Sequence, residues 1–166
     1  MAVPDAGGQE GDAPVVSQIA REGNPAADAL VEAARYGDID DVKELVEQGV
    51  HVNIQDMQGR TALHMAAANG HMDVVSYLLD RGADTNIENN EKNTPLHWAA
   101  LNGQIQMDVS LQVSEELIAR GANASALNRY DRTPLDEAMS RGKQQVVDAI
   151  VAATAATSLA SSSVQE

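Results

Sequence analysis

Cysteine is absent from this chain, and so is phenylalanine. Without cysteine there are no disulfides and no thiolate metal sites, and cysteine usage gives no clue to the compartment. Aromatic residues amount to one Trp and three Tyr in 166 residues. Positive charge is scarce as well: 11 Lys and Arg stand against 25 Asp and Glu, a net charge of −14. That balance argues against nucleic acid and anionic membrane as partners, since both call for a basic face. It is compatible with a basic protein partner, and equally with solubility alone. No positively charged start followed by an apolar core is present, so no signal peptide is expected. No apolar run approaches membrane-spanning length. The expected location is the cytoplasm, the nucleus or both, and a basic nuclear-import cluster is lacking. Asn123-Ala124-Ser125 matches a glycosylation triplet that stays silent without secretion.

What the chain does have is repetition. Gly59-Arg60-Thr61-Ala62-Leu63-His64-Met65-Ala66-Ala67-Ala68-Asn69-Gly70-His71 returns as Asn93-Thr94-Pro95-Leu96-His97-Trp98-Ala99-Ala100-Leu101-Asn102-Gly103-Gln104. His64 and His97 are 33 residues apart, as are Thr61 and Thr94, Gly37 and Gly70, and Gly49 and Gly82. Each part of the motif has a physical task. Thr61, Thr94 and Thr133 stand where a helix begins and can accept from an unpaired backbone N–H. Pro95 and Pro134 follow at the first helical position, where a missing N–H costs nothing. Ala66-Ala67 and Ala99-Ala100 let two helices approach closely, and Gly70 and Gly103 end the first helix of their units. Val74, Val75, Leu78 and Leu79 form the apolar face of a second helix.

The motif and its period resemble the ankyrin repeat, whose unit is about 33 residues. The resemblance implies an all-α solenoid of four helix-turn-helix units with short β-hairpin-like finger loops, the outer two units being degenerate caps. Residues 1–24 read as a disordered N-terminal segment, 25–153 as the repeat domain, and 154–166 as a flexible Ala/Ser-rich tail. Val15, Val16 and Ile19 give a weak signal for a short helix over the first repeat. The repeats fall at about 25–53, 54–86, 87–125 and 126–153. The third is abnormal: Gly82 to Gly121 and Thr94 to Thr133 both span 39 residues, a six-residue excess within Gln104–Gln112. That excess either forms a surface loop, lengthens the helix or marks a splice boundary, and loops tolerate insertions at modest entropic cost. In the fourth unit the motif histidine is replaced by Asp136, which suits a last repeat with no neighbour.

His64 and His97 occupy the motif position whose ring, in ankyrin proteins, hydrogen-bonds within and between repeats, so a structural role is expected rather than metal binding. No phosphate loop, nucleophile elbow or zinc-hydrolase motif is present, and Asp131, Asp136 and Glu137 read as a solvated acidic face rather than a catalytic pair. No enzyme activity, cofactor or metal is expected. The resemblance places recognition on the finger tips and the first-helix face. The partner-binding candidates are therefore Met57, Arg60, Glu91, Trp98, Leu101, Asn102, Arg129, Tyr130 and Asp131. Met57, Trp98, Leu101 and Tyr130 would make an apolar stripe rimmed by Glu91, Asp131 and Glu137. Trp98, where the family usually has a smaller apolar residue, is either an interface anchor or a filler against the second helix of its own repeat.

The same motifs also look like a small eukaryotic ankyrin group that includes the yeast protein escorting a basic small-subunit ribosomal protein. That likeness implies a monomeric chaperone for a basic client, with a part in ribosome biogenesis. The six-residue excess, and a tail without an acidic run, depart from that group. The rival readings are a regulatory adaptor or inhibitor docking on a transcription factor or kinase, and a fragment of a larger ankyrin protein. The polar outer repeats argue against the fragment.

Overall fold

Ala62–Asn69 contains no β-branched residue and four alanines, a composition that favours a helix even over eight residues. Thr61 starts it: its hydroxyl accepts from the His64 backbone N–H, while the His64 ring accepts from the Thr61 N–H at 3.1 Å. Gly70, left-handed at φ 72°, ends it. The chain then turns directly into Met72–Asp80, whose Val74, Val75, Leu78 and Leu79 are all buried. This helix pair is the unit from which the molecule is built.

The computed structural model describes residues 23–102 and 107–162. Among these there are eight helices and no strand: α1 (Pro25–Tyr36), α2 (Ile39–Glu47), α3 (Ala62–Asn69), α4 (Met72–Asp80), α5 (Pro95–Leu101), α6 (Met107–Ala119), α7 (Pro134–Ser140) and α8 (Gln144–Ser162). The first helices α1, α3, α5 and α7 stack in sequence as an inner layer, and the second helices lie behind them. Ala66, Ala67, Ala99 and Ala100 are wholly buried. Their small size is what lets the inner helices stack closely. Leu30, Leu63 and Leu96 recur at the same register and are buried to within 1%. Each contributes roughly 1.5–3 kcal/mol by leaving water. Val42, Val74, Val113 and Leu117 continue the same core on the outer side, and Ala138, Val146 and Ile150 close it in the last repeat.

The finger loops are single tight turns, each closed by a backbone bond across its base, Asp56 N–H to Arg60 O, Asn89 N–H to Asn93 O and Asn128 N–H to Arg132 O, all at 3.0 Å, and by a second within it, from the N–H of Gly59, Lys92 and Asp131 to the carbonyls of Asp56, Asn89 and Asn128.

One open alternative is resolved and two boundaries shift. Part of the third-repeat excess is helical. α6 has 13 residues where α2 and α4 have nine, so the second helix gains a turn at its start. Ser110 and Ser114 tolerate burial there, and the Ser114 hydroxyl donates to Ser110 O at 2.7 Å. Residues 103–106, and with them Gly103, lie outside the described residues, and α5 ends at an extended Asn102. The domain does not end at residue 153 either: the tail expected to be flexible from residue 154 is helical to Ser162. Its alanines favour helix, and the Thr154 and Thr157 hydroxyls bond back to the carbonyls of Ile150 and Ala153. At the other end Asn24 belongs to the domain, because its side chain accepts from the Ala26 N–H and caps α1. The expected N-terminal disorder otherwise falls on residues 1–22, outside the described residues, as do residues 163–166.

Candidate interaction surface: finger tips and inner groove

Three carboxylate or amide side chains at one register build the fingers. Asp56 Oδ1 accepts from the N–H of Gln58 and of Arg60. Asn89 Oδ1 accepts from Glu91 and Asn93, and Asn128 Oδ1 from Tyr130 and Arg132. Such short side chains mimic a backbone turn. Each finger leans on the one before it: Asn90 N–H donates to Gln58 O at 3.0 Å, and Arg129 N–H to Glu91 O at 2.9 Å. A left-handed residue sits at the fourth position of each turn, namely Gly59 (φ 72°), Lys92 (φ 59°) and Asp131 (φ 55°). Glycine is required only at 59, where a Cβ would lie 2.7 Å from Asn90 Oδ1 and 3.0 Å from the Asn90 backbone nitrogen.

Below the fingers, histidines tie adjacent repeats. The Thr61 N–H donates to His64 Nδ1, so the proton resides on Nε2, which donates to Asn93 O at 2.8 Å. His97 repeats the arrangement with Thr94 N–H and Arg132 O. Burial lowers the His64 pKa to about 4, against the partly opposing bond to Asn93, and lowers that of His97 for the same reason. In the last repeat Asp136 accepts from both the N–H and the hydroxyl of Thr133. Those bonds hold its carboxyl below the ordinary range, and the cap is kept while the link to a next repeat is dropped.

The inner helices are also joined at their C-terminal ends. His71 Nε2 donates to Arg35 O at 3.0 Å, and the Asn102 side-chain amide donates to Ala68 O. Lys143 is buried, with its ammonium donating to Ala99 O at 3.2 Å, to Ser110 Oγ at 3.0 Å and to Asn102 O. A cation at the negative end of α5 satisfies carbonyls left over by the helix. Burial, and then the nearby Arg141 charge, push the Lys143 pKa down.

These joints frame a groove of about 360 Å³ on the inner face, lined by Met65, Asn69, Trp98 and Leu101 with Arg35 and Arg141 at its borders. Trp98 is half-buried, with its ring edge-on to His64 of the preceding repeat at 6.0 Å and 78°. Its indole N–H is buried without an acceptor among the described residues. The side chain therefore packs on the second repeat and lines the groove at once.

The sequence candidates fall into two groups. Trp98, Leu101 and Asn102 lie together in the groove. Met57, Arg60, Glu91, Arg129, Tyr130 and Asp131 belong to the fingers. Met57 and Tyr130 are 57% and 62% exposed, and the Arg129 guanidinium sits 5.8 Å from the Tyr130 ring centre. Arg60 is held by Asp56 at 2.7 Å, and Glu91 accepts from the Asn93 side chain at 3.3 Å. Glu137 is not part of a solvated rim. It is 3% exposed and accepts from Asn128 and Arg132, which hold the last finger against α7. Lys143 and Arg35 escaped the sequence reading, whereas Arg141 stands at one of its helix-face positions. The one available signal was register, since Lys143 follows Gly142 as His71 follows Gly70. Among the described residues no group of three or more His, Asp or Glu is placed to hold a metal, and no helix is long and apolar enough to cross a membrane.

The family model of ankyrin repeats in three copies matches residues 30–109 and 88–159. The chain belongs to the ankyrin-repeat family, a non-catalytic fold for protein–protein interaction. No curated protein matches it.

Proposed function

We propose that this protein is a soluble escort, holding a basic client such as a small-subunit ribosomal protein until assembly. The observation that carries the reading is the surplus of acid, −14 overall, together with its exposed placement. Asp38, Asp40, Asp41, Glu44 and Glu47 are all exposed on and beside α2, with Lys43 the one cation in that segment and Arg81 3.9 Å from Glu47. A surface of that sign steers a basic partner and shields its charge. The test is to mix the full chain with a purified basic ribosomal protein and follow its solubility and co-elution. A stoichiometric complex that keeps the client soluble and weakens as salt rises supports the escort; a client that precipitates alone removes it.

A second reading has its own support. Arg35 and Arg141 border the Trp98 groove, and such a site suits an apolar side chain flanked by carboxylates or carbonyls rather than a basic tract. On that reading the protein is a regulatory adaptor for a folded partner, and binding would survive moderate salt and depend on Trp98.

A further inference from the structure

The face of the first repeat turned away from the second is unusual. A groove of about 420 Å³ lies there, floored by Ala29 and Ala33 of α1 and Leu45 of α2, with Tyr36 and Glu44 at its side. Glu32, Asp38 and Asp41 complete its acidic lining, and among the described residues no Lys or Arg lines it.

Register says what this surface is. Thirty-three residues on, its positions are those by which the second repeat meets the first. His71, the counterpart of Asp38, reaches back to Arg35 O. Tyr77, the counterpart of Glu44, lies under the Lys43 ammonium at 5.9 Å. Ala62, Ala66 and Leu78, the counterparts of Ala29, Ala33 and Leu45, are fully buried. The first repeat therefore keeps the small apolar floor of a stacking face. Around it, Met65, Val74 and Tyr77 are exchanged for Glu32, Asp41 and Glu44.

We propose that this face is a docking groove for a basic amphipathic helix of a partner protein, seated where a preceding repeat would stack. The proposal rests on the basic-client reading and names the place where the client is held. Shape and charge point to the same occupant. The alanine floor accepts a helix at close range, and four carboxylates without a lining cation call for Lys or Arg on either side of its apolar stripe. The sequence before α1 is itself net acidic, with Asp5, Glu10, Asp12 and Glu22 against Arg21, the opposite of the charge this groove calls for.

The probe is a synthetic amphipathic helical peptide with Leu and Ala on one face and Lys and Arg on the other, titrated into the isotopically labelled full chain and followed by NMR. Its control carries Glu in place of Lys and Arg. The basic peptide is expected to shift the amides of Ala29–Tyr36 and Asp41–Gln48, and the acidic control to shift none. Asp41→Lys with Glu44→Lys, both at exposed positions, should weaken binding about tenfold or more, and Tyr36→Ala should weaken it too. Glu115→Lys with Asp148→Lys should leave it within about twofold. Equal loss in both pairs, or shifts centred on Trp98 and Leu101, would overturn the groove while leaving the basic-client reading standing. Failure of the basic peptide to bind at all would remove both. Concentration-dependent shifts without peptide would assign the face to a second copy of the chain and overturn the proposal.

Discussion

His64 Nε2 donates to the carbonyl oxygen of Asn93 across 2.8 Å, and this bond joins the second repeat to the third. It is made by a side chain with no exposed surface, on a ring whose other nitrogen is engaged by the cap of its own helix. The bond closes the base of a finger whose tip is free to meet a partner, so stability and recognition share one residue.

The neutral ring is the form that fits, and stability should follow its titration. The His64 pKa is about 4 in the folded chain against 6.5 unfolded, so between those values the unfolded state binds the extra proton. Stability is full above pH 6.5 and falls as pH drops towards 4, by about 3 kcal/mol from this group. His97 acts in the same direction. Urea unfolding of the wild type and His64→Gln at about pH 7.5 and about pH 4.5 checks this: the gap between the two proteins should narrow in acid. A constant gap would contradict it.

Lys143→Met should lower stability by about 1–3 kcal/mol, because the carbonyls of Ala99 and Asn102 lose a buried donor. Thermal unfolding followed by circular dichroism reads the change. Tolerance of the substitution would mean that the ammonium contributes nothing net to the joint between the third and fourth repeats.

Gly59→Ala should cost about 1–2 kcal/mol or more, since it combines a left-handed backbone with contact against Asn90. Lys92→Gly at the equivalent position should stay within about 1 kcal/mol of neutral: relief of the left-handed strain is offset by a freer unfolded chain. Equal effects at the two positions would show that the packing of one finger on the next is unimportant.

Trp98→Ala should weaken partner binding by roughly 2 kcal/mol or more, near thirtyfold, if the groove is engaged. As the chain's one tryptophan, Trp98 also reports occupancy directly through its fluorescence. Unchanged affinity with a lowered melting temperature would assign the side chain to packing alone.

The repeat architecture was legible because glycine, proline, threonine and alanine act locally: a cap, a stop and a close approach each need a particular residue at a particular spacing. The histidine joints, which reach the next repeat, were legible only through the likeness to the ankyrin motif. Less visible was whatever depends on a neighbour brought in from another repeat. Glu137 read as a surface acid because Asn128 and Arg132, which bury it, arrive with the finger. Lys143 drew no notice because the carbonyls it meets lie more than 40 residues upstream. The fate of the third-repeat excess was open because Met107–Gln112 holds helix formers and β-branched Val109 together. It is the burial of Ser110 and Val113 that draws the segment into α6. The tail beyond residue 153 read as flexible and Ala/Ser-rich, but its alanines carry α8 on to Ser162.

An escort of this kind holds its basic client on the acidic surface. Affinity capture from a eukaryotic lysate with the full chain as bait, at low and at moderate salt and read by mass spectrometry, tests it most directly. The expected result is one basic ribosomal protein of the small subunit, recovered in stoichiometric amount and lost as salt rises. A folded partner that is not basic and stays bound at moderate salt would contradict it, leaving the adaptor built around Trp98.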